Sequence, residues 1–361
     1  MVEPEDIPEA DAAPGAPHPR HSVNLHGQGA AEAEFLRAAH AGRMHHGWLI
    51  TGPKGVGKAT FAWRAARFLL QGDLSKSDMD LPPDDPLFRR IAALAEPGLF
   101  LCRRQWDWDK KRLKKNISVD DIRALKTFFS LSATDGGWRT GIIDAADDMT
   151  VAAANALLKI LEEPPQKTAL FLICHQPGRL LPTLRSRTVA LPLAPLAQDA
   201  FAAAMPPDAT DATALFELSG GAVGAALELH DGGGIALYKA IVAALSTLPR
   251  MDRQQIGALA DKCAQRNAEA TYALVRTLIA SFLARAAKAA ATNSIPAEGA
   301  PGEAAILARL APHPRAAVIW ADLAQDIAAR HAHAVTVNLD PALVILDTFL
   351  KIEAAAATLN I

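Results

Sequence analysis

The segment Gly52-Pro53-Lys54-Gly55-Val56-Gly57-Lys58-Ala59 constrains this chain more than any other feature. It follows an apolar run at 48–51 and opens a helix expected over 59–70, so it reads as a strand-to-helix turn built of glycines. Glycines at such a turn let backbone N–H groups curl round phosphate oxygens, the helix N-terminus adds a positive dipole, and a lysine here reaches the β and γ phosphates. Gly52, Gly55, Gly57, Lys58, Ala59 and Thr60 are therefore the candidate nucleotide contacts. A Gly-rich turn that holds no nucleotide is the competing reading, because the next feature departs from the pattern. The position after the lysine ordinarily carries Ser or Thr, whose hydroxyl binds Mg²⁺, and here it is Ala59. Thr60 comes one residue later, a rotation of about 100° on a helix, so its hydroxyl is expected to point away from the phosphates.

From 21 to 195 short β-rich runs alternate with helical periodicity, the pattern of an α/β domain with a mainly parallel sheet. The expected strands lie at 48–51, 99–102, 140–144, 169–174 and 189–193. One helix places Ala154, Leu157, Leu158 and Leu161 on a single face, with Thr150 as N-cap and Pro164-Pro165 as its stop. Another begins at Ser118 with Asp121 three residues on, an acidic variant of a capping box, and should bury Val119, Ile122, Leu125 and Phe129. Beyond 195 the strand signals vanish and Ala/Leu-rich amphipathic runs continue to the end, interrupted by a Pro/Gly-rich loop at 293–302. The expected division is a flexible tail at 1–20, the α/β domain at 21–195, a small helical bundle at 196–235 and a larger one at 236–361.

The strand at 140–144 ends in an acid, Asp144, which can hold Mg²⁺ or merely cap the next turn. Hydrolytic relatives of this design follow that aspartate with a glutamate that activates water, whereas Ala145 can take no proton.

The bulk properties narrow the function classes. A chain of 361 residues is long enough for two or three cores, and 50% hydrophobic with 21% charged residues is a globular balance. The net charge of −2 gives no global footprint for wrapping DNA, so any nucleic-acid contact must be local or shared with partners. Cys102, Cys174 and Cys263 are too far apart for a zinc site or a disulfide framework, which fits a reducing cytoplasm. The first twenty residues lack the basic start and apolar stretch of a signal peptide, and no run of about 18 uninterrupted apolar residues occurs, so no membrane association is expected.

More specific runs follow. Ala154-Asn155-Ala156-Leu157-Leu158-Lys159-Ile160-Leu161-Glu162-Glu163-Pro164-Pro165 and Leu180-Leu181-Pro182-Thr183-Leu184-Arg185-Ser186-Arg187 closely resemble the AAA+ clamp-loader family, and its δ′ type in particular. Similarity extends to Arg43-Met44-His45-His46-Gly47-Trp48-Leu49, to Gly136-Gly137-Trp138-Arg139 and to Asn338-Leu339-Asp340-Pro341, and it is strong over roughly 22–230. The resemblance implies an AAA+ P-loop domain, an all-α lid at 196–235 and an all-α collar at 236–361.

In that family a Ser-Arg-Cys motif closes the sensor-1 region and its arginine enters the ATP site of the adjacent subunit. The counterpart here is Ser186-Arg187-Thr188, so the resemblance makes Arg187 an arginine finger acting in trans, with Ser186 beside it. A guanidinium suits that work because it is planar and always charged; the alternative is an arginine paired with an acid on its own surface. Arg185 would fall on the opposite face if the segment is extended. Where hydrolysing relatives carry a sensor-2 arginine, this chain has Ala225, after Gly220-Gly221-Ala222-Val223-Gly224. The Mg²⁺ hydroxyl, the base and the sensor arginine are thus all alanine, at 59, 145 and 225.

The implied function is the δ′ subunit of a DNA polymerase III clamp loader, a component of the nucleotidyltransferase holoenzyme that hydrolyses no ATP itself. Its implied partners are δ and τ/γ subunits and the β sliding clamp, with primed DNA met indirectly. Its cofactor would be ATP or ADP with weakened Mg²⁺ binding. Many relatives carry a four-cysteine zinc module after the P-loop helix; 71–97 contains no cysteine, so no zinc is expected, and an acidic, Pro-rich insertion at 73–86 stands there instead. Two rivals are an active ATPase of the τ/γ type and a DNA-binding module. Two smaller features stay open: Lys159 and Glu163 at i, i+4 read as a solvated ion pair, and the basic run Lys110-Lys111-Arg112-Leu113-Lys114-Lys115, with Trp106 and Trp108 upstream, reads as a solvated loop or as a contact for phosphate or an acidic partner.

Overall fold

A computed structural model describes residues 7–13, 15–130 and 136–359. The chain forms two compact units, one comprising residues up to Ala204 together with Gly221–Ala225, the other Met205–Gly220 together with the chain from Ala226.

The first unit is built on a five-stranded, all-parallel sheet. Its strands are β1 (Gly47–Thr51), β2 (Leu99–Arg103), β5 (Arg139–Asp144), β6 (Thr168–Cys174) and β7 (Val189–Pro192), in the order β2-β5-β6-β1-β7; β3 (Trp106–Asp107) and β4 (Arg112–Leu113) form a separate hairpin. The five expected strands are all present, each within a residue at either end. Alternation along a strand sends successive side chains to opposite faces. Trp48, Ile50, Phe171 and Ile173 pack with Phe35, Phe61, Trp63 and Phe68 on one side, while Leu49, Leu170 and Leu172 meet Leu125, Phe129, Leu157 and Leu161 on the other. Burial on both faces explains why these strands read as continuous apolar runs.

The helix Val119–Ser130 starts as its sequence requires: the Asp121 carboxylate accepts from both Ser118 N and Ser118 Oγ at 2.7 Å. Ile122, Leu125 and Phe129 are buried, but Val119 is only half-buried, because it stands in the first turn at the rim of the sheet. Thr150 caps Val151–Glu162 by accepting from Ala153 N at 3.2 Å. The basic run is not a plain loop but the turn and second strand of the β3–β4 hairpin, paired Trp106 to Leu113 and Asp107 to Arg112.

The N-terminal segment differs from the free tail expected at 1–20, of which residues 1–6 and 14 lie outside the described residues. Arg103, at the end of β2, pairs with Glu9 and Asp11, and His18 packs edge-on against Trp63. Arg67 donates to Ser22 O at 2.8 Å and also to Arg20 O, while Arg64 donates to Val23 O and pairs with Glu32 and Asp80. Two arginines on the buried side of the P-loop helix need acceptors, and the carbonyls of 20–23 supply them. No local pattern signals this docking, since an acidic, proline-rich stretch has no period from which it could be read.

The second unit is all α-helical among its described residues. Its longest helices are Glu269–Thr292, Arg315–Val337 and Pro341–Thr358, and the loop expected at 293–302 joins the first of these to Glu303–Leu310. Glu303 is fully buried there; it accepts from Tyr238 Oη at 2.6 Å, Arg285 Nε at 2.7 Å and Gly299 N at 2.6 Å, so a charged network clamps that loop. No described helix is long and apolar enough to cross a membrane.

Candidate functional site

The Gly-rich turn lies between β1 and the helix Lys58–Gln71, at the C-terminal edge of the parallel sheet, where α/β crevices bind ligands. Gly52, Gly55 and Gly57 hold φ of 141°, 80° and 101°, a region that side chains with a Cβ avoid. The Lys58 side chain folds back, donating to Gly52 O and Pro53 O at 2.7 Å each. Burial pulls its pKa down to about 8, against the opposing pull of Asp144 and Asp147. Gly224 N donates to Gly55 O at 2.7 Å, and a Cβ on Gly55 would overlap the Ala225 amide nitrogen. Ala225 is therefore seated on the turn itself. Ala59 and Thr60 are both half-buried in the first turn of the helix.

Asp144 ends β5 beside this turn. Burial pushes its carboxyl up to about 7, and the nearby Asp11 adds to the rise while Lys58 opposes it. Ala145 is buried, and the next acids sit on the turn Ala146–Asp148: Asp147 accepts from His175 N at 3.0 Å, and Asp148 pairs with Arg104 at 3.0 Å. Burial, then the charge of Lys58, hold His175 below the ordinary histidine value. Asp11, Arg103, Asp147 and His175 thus join the predicted residues at one edge of the sheet. Only Asp147 had a sequence signal, its place three residues after Asp144; the others come together through strand register and the docked N-terminal segment.

Ser186 and Arg187 lie on a different feature. Residues Pro182–Arg185 form one helical turn, Ser186 is its C-cap and Arg187 N donates to Leu184 O at 3.2 Å, so the segment is not extended and the face argument separating Arg185 from Arg187 does not apply. Prolyl φ and the short span before β7 favour a closed turn here. Ser186 Oγ donates to Thr183 O at 3.1 Å. The Arg187 guanidinium donates to Thr183 O at 3.2 Å and pairs with Glu162 at 2.8 Å, with 37% of the side chain exposed. The expected Lys159–Glu163 pair does not form among the described residues; Glu163 leaves the helix as its C-cap, and Glu162 is the acid that finds a cation.

Comparison with known proteins places these features in a lineage. Residues 27–197 match the family model described as DNA polymerase III, delta subunit. The chain is 36% identical over 229 residues to the DNA polymerase III subunit delta' of Pseudomonas aeruginosa, covering 62% of this chain and 65% of that one. It is 30% identical over 340 residues to the Escherichia coli subunit delta', covering 89% of this chain and 92% of that one. The chain belongs to the DNA polymerase III subunit delta' family. It is also 31% identical over 178 residues to a subunit gamma/tau of Mycobacterium tuberculosis, covering 47% of this chain and 28% of that one. In this delta' family member the departures at Ala59, Ala145 and Ala225 all fall at the Gly-rich turn or its neighbouring acid, whereas Arg187 stands apart at the surface.

Proposed function

We propose that this chain is the non-hydrolysing δ′ component of a cytoplasmic clamp loader, which works with δ and τ/γ subunits to place the β sliding clamp on primed DNA and supplies Arg187 to a neighbour's ATP. The observation that carries this reading is the contrast between the two sites. Arg187 is a partly exposed cation whose one acidic partner among the described residues is Glu162 at the surface. An exposed pair of that kind contributes only about 0–1 kcal/mol, so the guanidinium can leave it for a γ-phosphate at little cost. Its own turn, by contrast, keeps Lys58 on the loop carbonyls and lacks a hydroxyl at 59 and a base at 145.

The glycine conformations at 52, 55 and 57 suit phosphate oxygens once Lys58 swings off its carbonyls. Mg²⁺ fits poorly, since Ala59 offers no oxygen and Asp144 is half protonated near neutral pH. ATP or ADP would therefore bind as a structural ligand with weak metal dependence. Lid and collar roles are proposed for 196–235 and 236–361.

In an assembly reconstituted with Arg187→Ala, subunit association is expected to stay near normal while DNA-stimulated ATP hydrolysis falls by roughly tenfold or more. Unchanged hydrolysis would remove the finger. Brisk ATP turnover by the isolated chain would instead favour a τ/γ-type motor.

A further inference from the structure

The β3–β4 hairpin leaves the C-terminal end of β2 and carries charge that the fold does not use. Within Lys110–Lys115 there are five cations, and only Asp107 and Asp109 are acidic on the hairpin, in a chain whose net charge is −2. Lys110 reaches Asp107 at a loose 3.8 Å. Lys111, Arg112, Lys114 and Lys115 are exposed and form no ion pair among the described residues. Arg112 and Lys114 sit two apart along an extended segment, which sends them to one side; Lys114 N continues the pairing by donating to Gln105 O at 2.8 Å.

Trp108, at the tip, is 64% exposed and is the one exposed Phe, Tyr or Trp among the described residues. Trp106 is half-buried against the hairpin base, so it is Trp106 that serves folding. Leaving an indole in water forfeits the stabilisation that burying a large apolar side chain ordinarily gives. The tip itself is ordered, with Lys110 N donating to Asp107 Oδ1 at 3.1 Å and Lys111 in the left-handed region at φ 48°.

We infer that this hairpin is a binding site for single-stranded nucleic acid, with Lys111, Arg112, Lys114 and Lys115 on the phosphates and Trp108 stacked on a base. Two features select this partner over an acidic protein surface. Four of the five cations are lysines, which are depleted from protein–protein interfaces but serve well as point charges along a phosphate backbone. An exposed π-face beside a basic track is the arrangement by which single strands are held without sequence preference. The inference does not depend on Arg187 or on nucleotide at the Gly-rich turn.

The test is fluorescence anisotropy of a labelled 20-mer of thymidine with the full-length purified chain at low salt, with a duplex of equal length and poly-glutamate as competitors. Lys111→Glu/Arg112→Glu/Lys114→Glu should weaken binding at least tenfold and lower the salt slope by about 2, at ~0.7 per single-strand phosphate contact. Trp108→Ala should weaken single-strand binding about fivefold or more while leaving duplex competition unchanged. Circular dichroism should show every variant folded, and the salt slope of the unmodified chain gives a second reading that needs no variant. Equal affinity of the triple variant and the unmodified chain, no salt dependence, or poly-glutamate competing as well as the oligonucleotide would overturn the site.

Discussion

With its carboxyl pushed up to about 7 by burial, Asp144 enters the neutral range half ionised. A folded-state value above the ordinary 3.8 means that the native chain binds more protons than the unfolded one between those values. Stability is then full below about 4 and falls as pH rises towards 7. Asp144→Asn should stabilise the chain more at pH 8 than at pH 5, by a difference of about 2 kcal/mol in urea unfolding; an equal effect at both pH values would contradict the assigned burial. Gly55 makes a separate prediction. Its φ of 80° and the close seat of Ala225 leave no room for a methyl, so Gly55→Ala should cost about 1–3 kcal/mol and loosen the Gly224–Gly55 hydrogen bond, visible as faster amide exchange at Gly224.

Among elements, two of the buried polar contacts between helices of the second unit carry predictions. Glu303→Ala would strand Arg285, whose other carboxylate partner is Glu217 at 3.3 Å, and should destabilise that unit by about 3–5 kcal/mol; Glu303→Gln should cost less because it keeps an acceptor for Tyr238. His331 lies between Arg315–Val337 and Pro341–Thr358, with Nε2 2.9 Å from Thr348 Oγ1, and burial lowers its pKa to about 4. The unfolded chain takes up a proton that the native one refuses between 6.5 and 4, so this contribution is present above about 6.5 and is lost as pH falls towards 4. His331→Leu should flatten that acid slope in unfolding measurements, and Thr348 keeps its own bond to Val344 O.

At the scale of the whole molecule, the proposed reading has Mg²⁺ held weakly, because Ala59 carries no hydroxyl and burial favours the protonated form of Asp144. The shift in unfolding midpoint produced by ATP should therefore be the same with Mg²⁺ as with a chelator. A shift that requires Mg²⁺ would mean that another oxygen replaces the missing hydroxyl. Arg187 tests the opposite property, because its contact with Glu162 is exposed: Arg187→Ala should leave the midpoint unchanged even where it abolishes stimulation of a neighbour.

The strands, the capped helices Val119–Ser130 and Val151–Glu162, the glycine turn and the helical second half were all legible in the chain's local chemistry. Periodicity, caps and prolines act over a few residues, and each stated its element without help from elsewhere. The docking of Glu9, Asp11 and residues 18–23, the gathering of Asp11, Arg103 and His175 near Asp144, the Glu162–Arg187 pair and the basic hairpin were decided only in three dimensions. Those contacts join residues far apart in sequence, where a buried arginine or a strand end takes whichever acceptor the packing brings within reach, and no short-range pattern encodes that choice.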